Sequence, residues 1–131
     1  MTVDGVAAGC GGILHSRTGN LASPNYPSAY AADIECEWEI RVEPGYKILT
    51  SFYQRFDLEN STDCRNDFIE LLDWKNENWQ SLGRFCGKQL PPVVSSSGPV
   101  IKVLFRTNSQ YQGDGFRVSF IQLFIEFNRI N

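Results

Sequence analysis

The residues of this chain whose types and spacing suit chemistry cluster in one run, Phe56-Asp57-Leu58-Glu59-Asn60-Ser61-Thr62-Asp63-Cys64-Arg65-Asn66-Asp67. Glu59 and Asp67 stand eight residues apart around Cys64, ahead of a β-type run. A hard cation such as Ca²⁺ takes roughly 6 to 8 oxygen ligands at about 2.3 to 2.6 Å, and loop carboxylates pinned by a nearby disulfide converge on one ion with little further ordering. The chemistry this implies is ion-ordered binding. Catalysis finds no support: His15 is the single histidine, and no Ser or further ligand is placed by a motif to make it a nucleophile's base or a zinc ligand. There is no Gly-x-Ser-x-Gly elbow either, so no catalytic residue is assigned and the chain is read as a non-enzyme.

Those loops need a scaffold, and composition bounds it. At 131 residues the chain has the length of one domain, enough to bury roughly two-thirds of the surface its unfolded form exposes. Cys10, Cys36, Cys64 and Cys86 form an even set without a Cys-x-x-Cys pair, which favours two disulfides and an extracellular or secretory compartment. Spacing alone leaves all three connectivities open. The formal charge of -3 with scattered Lys and Arg argues against a nucleic-acid footprint. No stretch approaches the roughly 20 apolar residues that cross a bilayer, so no membrane insertion is expected. Residues 1 to 20 show no positively charged start followed by an apolar run, so no secretory signal is read and the chain is expected to be a mature or excised piece. Met1 to Gly9 is small in composition and reads as a linker.

From Cys10 onward the pattern is β. Cys36, Trp38, Ile40 and Val42 alternate with Glu37, Glu39, Arg41 and Glu43, a period of two that buries one face. A first run holds Ile13 to His15, and further strands are predicted at 46–53, 67–74, 81–86, 100–107 and 116–124. Pro44-Gly45 and Gly113-Asp114-Gly115 supply the turn chemistry between them. Residues 87–99 read as a surface crossing between sheets. Short strands at this spacing imply an all-β, antiparallel two-sheet sandwich.

Taken in order, these pieces resemble the CUB domain family over residues 10–122. The resemblance rests on Cys10-Gly-Gly-Ile13, Ser23-Pro-Asn-Tyr-Pro-Ser-Ala-Tyr30, Cys36-Glu-Trp38, Cys64-Arg-Asn-Asp67-Phe68, Phe85-Cys86-Gly87, Phe105-Arg-Thr-Asn108 and Gly115-Phe116. It implies a jelly-roll-like sandwich with consecutive disulfides, Cys10 to Cys36 and Cys64 to Cys86. It also implies a calcium site in many members, built from a tyrosine after the Pro-Asn-Tyr-Pro turn, a glutamate, an aspartate three residues past the third cysteine, and an aspartate in a late loop. Tyr30, Glu59 and Asp67 occupy the first three positions, and Asn108 stands at the fourth. Asn offers a neutral oxygen in place of a charged one, so the expected Ca²⁺ site is weak. Asn66 replaces an aromatic that is common before the aspartate, which is expected to loosen the loop.

On that resemblance the chain is expected to be an extracellular protein-binding module in which a partner's Lys or Arg docks on Glu59 and Asp67 of the calcium site, as in complement-initiating and tolloid-like proteases and endocytic receptors. Asp57 and Asp63 are expected to face solvent. Asn60-Ser61-Thr62 fits the N-glycosylation sequon beside Glu59. Trp74 and Trp79, flanking a four-residue turn, are expected to pair across strands. Residues 123–131 form an apolar extension that lengthens the last strand, packs on a neighbour or joins copies. Two alternatives stand beside this reading. One is a free-standing glycan binder resembling the spermadhesins, against which the acidic balance and missing basic cluster weigh. The other is a structural or assembly module of a matrix protein.

Overall fold

The computed structural model describes residues 10–108 and 111–126; the N-terminal linker reading and residues 127–131 of the extension lie outside them. Among the described residues nine strands make two facing sheets. In chain order they are β1 (Gly12–His15), β2 (Thr18–Ala22), β3 (Glu35–Arg41), β4 (Tyr46–Phe52), β5 (Phe68–Lys75), β6 (Asn78–Phe85), β7 (Val94–Ser95), β8 (Val100–Arg106) and β9 (Arg117–Phe124). The sheets run β1-β3-β8-β5-β6 and β2-β9-β4-β7. All pairings are antiparallel except β1 beside β3, which is parallel. The disulfides join Cys10 to Cys36 and Cys64 to Cys86.

The period of two in the sequence is what sets the layers. In β3, Cys36, Trp38 and Ile40 point into the sandwich while Glu35, Glu37 and Arg41 face out. They meet Ile101, Val103 and Phe105 of β8, Ile69 and Leu71 of β5, and Ile48 and Phe52 of β4 in one core. Phe116 is its hub, fully buried, with ring centroids 4.9 Å from Phe105, 6.1 Å from Trp38 and 6.3 Å from Phe52. Such edge-to-face contacts add about 0.5–1.5 kcal/mol each beyond area burial.

The structure departs from the sequence reading at three places. Strand β2, TGNLA, carries one large apolar residue, Leu21, and so leaves no alternation to read. The 87–99 crossing contains β7, where Val94 and Ser96 are buried. Ser96 Oγ accepts the Ile48 N–H at 2.7 Å and donates to the Gly98 carbonyl at 2.8 Å, which fastens the crossing to β4. Trp74 and Trp79 pair directly across β5 and β6, with centroids 5.0 Å apart. The turn between them is tighter than expected: Lys75 pairs with Asn78, and Asn76 and Glu77 take positive φ of 55° and 62°, the geometry of a two-residue type I′ hairpin. The last strand ends where the 116–124 run puts it, with Leu123 opposite Lys47 and Phe124 opposite Tyr46, so the first two residues of the apolar extension lengthen β9.

Phe116→Ala is expected to lower the unfolding free energy by about 3–5 kcal/mol, read as a shifted midpoint in denaturant unfolding. A loss under about 1 kcal/mol, the size of a mild core trim, would contradict the hub packing.

Candidate functional site

The four residues singled out by sequence come from three parts of the chain and meet at one end of the sandwich. Tyr30 follows the Ser23 to Pro27 turn, Glu59 and Asp67 lie in the loop between β4 and β5, and Asn108 lies just after β8. Tyr30 is 1% exposed and Asp67 0%. The Tyr30 hydroxyl donates to Asp67 Oδ2 at 2.5 Å and accepts the Glu59 N–H at 3.3 Å. The Asn108 N–H donates to Asp67 Oδ1 at 2.8 Å, so both Asp67 oxygens are engaged while each keeps a lone pair.

Glu59 completes the group. Its Oε2 accepts the Asn66 side-chain amide at 3.0 Å, and Asn66 N–H donates to Ser61 Oγ at 3.1 Å. Asn66 therefore braces the loop that its substitution for an aromatic was expected to loosen. Glu59 Oε1 is buried with no hydrogen-bond partner among the described residues. An unmatched buried carboxylate oxygen is costly, and a cation is the partner that suits it.

Burial pushes the Asp67 carboxyl above its ordinary value, the nearby Glu59 charge adds to this, and the bonds from Tyr30 and Asn108 oppose it. Burial, followed by the bond to Asp67, holds the Tyr30 proton far more tightly than in a free phenol. Tyr30 is thus a permanent donor to Asp67.

Sequence reasoning missed the clasp beside this group. Asp57, expected to face solvent, is half-buried. Its Oδ1 accepts the Tyr111 hydroxyl at 2.8 Å and its Oδ2 the Asp114 N–H at 3.2 Å. Its backbone exchanges bonds of 2.9 and 3.0 Å with Gly115. The bond to Asp57 is the main cause that raises the Tyr111 pKa. The two glycines of this loop are required: a Cβ on Gly113 would collide with the Asp57 carbonyl, and one on Gly115, at φ +91°, with Ser23 Oγ. The Gly-Asp-Gly spacing signalled a turn but not what the turn grips. Asp63 is exposed, as expected, in a short 3₁₀ turn spanning Thr62–Cys64. Asn60 is exposed beside Glu59, and the Cys64–Cys86 disulfide pins the loop's far side.

Among the described residues no three His, Cys, Asp or Glu side chains converge as an ion-binding group. The oxygens gathered here are two carboxylates plus neutral donors, a lower charge than strong calcium sites carry. His15 sits exposed at the end of β1, away from this end. No helix among the described residues is long and apolar enough to cross a membrane.

With this geometry in hand, comparison with known proteins is informative. The CUB domain family model matches residues 10–120. Human cubilin is 40% identical over 111 residues, covering 85% of this chain and 3% of cubilin. The full extracellular region of zebrafish Gpr126/Adgrg6 superposes with a TM-score of 0.79 at 26% identity, over 88% of this chain and 15% of that one. The Ca²⁺-bound CUB2 domain of MASP-1 superposes with a TM-score of 0.76 at 30% identity, over 86% of this chain and 98% of that one. This chain spans a small part of cubilin's length. From the family match across residues 10–120, together with the sandwich and disulfide pairing described above, the chain belongs to the CUB domain family.

Proposed function

We propose that this CUB domain, a non-catalytic module, is an extracellular protein-binding unit whose recognition loops are ordered by a weak calcium site at Glu59, Asp67 and Asn108, with Tyr30 supporting Asp67. One observation carries the reading: the buried, unpartnered Glu59 Oε1 beside the buried Asp67 carboxylate. The MASP-1 CUB2 domain, to which this chain is similar, is known bound to Ca²⁺. Held calcium would draw the carboxylates into register while leaving part of their charge for a partner's Lys or Arg, a charge-assisted contact. Asn108 in the place of a charged ligand puts the affinity toward the weak extracellular class, about 10⁻⁴ to 10⁻³ M.

Calcium is expected to raise the melting temperature and chelator to lower it. The gain follows mass action, about 2.7 kcal/mol where free calcium is 100-fold above the dissociation constant. In calorimetry Asn108→Asp strengthens binding on the order of tenfold by restoring a charged ligand, and Asp67→Ala abolishes it. Equal affinity in the wild type and both variants would remove the ion from this loop.

Proton linkage gives an independent check. In chelator, Asp67 binds its proton more tightly folded than unfolded, because its folded pKa is raised above 3.8. Its contribution is full below the unfolded pKa and drains as pH rises through the folded one. With calcium saturating, the ion competes with that proton, so the same residue makes stability climb with pH. Denaturant unfolding between about pH 4 and 7, with and without calcium, is expected to show slopes of opposite sign for the Asp67 contribution. Asp67→Asn, which cannot titrate, serves as the reference, and identical wild-type and variant slopes would contradict the assignment.

Asn60 is exposed on the flank of Glu59, which suits the proposed N-glycan. Intact mass of protein secreted from a glycosylating host is expected to fall on Asn60→Gln. A mass that rises by only the added methylene of Gln would show the sequon empty.

A further inference from the structure

The sequence shows no basic cluster, yet the fold brings Arg55 and Arg117 to one cleft. On the outer face of the four-stranded sheet, at the same end as the acidic loops, Ala22 of β2 lies opposite Arg117 of β9. The Tyr53 N–H bonds to the Arg117 carbonyl at 3.1 Å. The Tyr26-Pro27 turn on one side and Gln54-Arg55 on the other border a cleft of about 620 Å³. Among the described residues no carboxylate lines it.

Its polar groups are arranged with one sense. Asn20 Oδ1 already accepts the Tyr53 hydroxyl at 2.6 Å, and Gln54 Oε1 accepts Arg117 Nη1 at 3.3 Å. Each amide oxygen thus already takes one bond from within, while the amide N–H groups of Asn20 and Gln54 remain as donors. The Tyr26 hydroxyl accepts the Arg55 backbone N–H at 2.9 Å, so its own proton is a donor too. Two guanidiniums complete the set, and each carries five N–H groups of which the bonds described here use few. Gln54 holds a positive φ of 65°, a backbone state that non-glycine residues adopt at some cost and that is concentrated at binding and switch sites.

We propose that this cleft binds an acidic side chain, Asp or Glu, of an extended segment of a partner protein, the carboxylate meeting Arg55 and Arg117 and the segment's carbonyls meeting the amides of Asn20 and Gln54. The choice of a protein partner rests on the function proposed above. Two guanidiniums match a single carboxylate better than a polyanion, whose further charges would face Asp114, 3.4 Å from Arg55. The neutral donors match backbone carbonyls, which a peptide carries at every residue. The cleft is also continuous with the acidic loops, because Arg55 bonds Asp114, whose N–H bonds Asp57, which holds Tyr111. A partner that places a Lys or Arg on Glu59 and Asp67 would present a carboxylate beside it, so the surface reads opposite charges in fixed order.

The test is an NMR titration of the isotope-labelled full chain in chelator, where the calcium site plays no part. The probe is an acetylated, amidated peptide of alternating glutamate and glycine, beside its glutamine counterpart. The glutamate peptide is expected to shift the side-chain amides of Asn20 and Gln54 and the guanidinium signals of Arg55 and Arg117 saturably, and the glutamine peptide is not. Arg117→Gln and Arg55→Gln each weaken binding about tenfold with an unchanged melting temperature, while Lys88→Gln on another exposed loop leaves it unaltered. No shift, equal response to both peptides, or wild-type affinity in both Arg variants would overturn the proposal. So would a heparin oligosaccharide that saturates the cleft through both arginines when the glutamate peptide does not, which would make it a glycan site. A lysine peptide titrated with calcium reports separately on Glu59 and Asp67, so failure at the acidic loops is distinguishable from failure here.

Discussion

The binding end of this domain depends on one buried hydrogen bond, from the Tyr30 hydroxyl to Asp67. A carboxylate with no exposed surface is tolerated only if its oxygens are matched. Tyr30 satisfies one oxygen and the main chain of Asn108 the other. Because these partners come from a turn before β3 and a loop after β8, satisfying Asp67 forces segments remote in sequence into one corner. Glu59 is then positioned from the same hydroxyl through its backbone N–H. Tyr30 also lies edge-on to Phe105, with centroids 5.4 Å apart, and Phe105 touches the Phe116 hub. The polar corner and the apolar core are therefore mechanically one object.

A second carboxylate repeats the logic near the surface. Asp57 takes the Tyr111 hydroxyl and the Asp114 N–H, and Gly113 and Gly115 let the backbone come close enough for this. Fixing that loop also fixes Asp114, and with it Arg55. The outer face is held differently. Lys102 stands 4.2 Å over the Trp79 ring and 3.3 Å from Glu37, and Arg84 lies 3.8 Å over Phe68 while pairing with Glu70. Exposed pairs of this kind contribute little each, but they neutralise the face of the five-stranded sheet and leave the contrast of charge to the loop end.

Much of the scaffold was legible because burial leaves a periodic trace. Cys36 to Val42 and the runs at 46–53, 67–74 and 100–107 alternate or stay apolar, and each became a strand within a residue or two. Strands β2 and β7 were not legible, since Leu21 and Val94 are the main apolar anchors of segments whose remaining residues are polar or small. The parallel pairing of β1 with β3 leaves no mark in either strand. At the site, Tyr30, Glu59, Asp67 and Asn108 were readable from ordered motifs. The Asp57–Tyr111 bond and the meeting of Arg55 and Arg117 at one cleft were not, because they arise between segments remote in sequence, which local sequence does not encode. Asn66 shows the opposite error: judged as a missing aromatic, it supplies the amide that orients Glu59.

The parallel pairing of β1 has a mechanical consequence. Cys10 lies at the loop end, tied to Cys36 at the start of β3, whereas β9 runs from Arg117 near those loops to Phe124 at the opposite end. Eight residues of β9 separate the two ends by roughly 25 Å. Tension applied between Cys10 and Phe124 therefore runs along the strands and loads the ladders of β3 with β8 and β4 with β9 in shear, where many bonds must yield together. The covalent link at Cys10 passes the load past the four-residue β1 directly to the central sheet. A unit stretched this way keeps its acidic corner assembled until the core itself gives way.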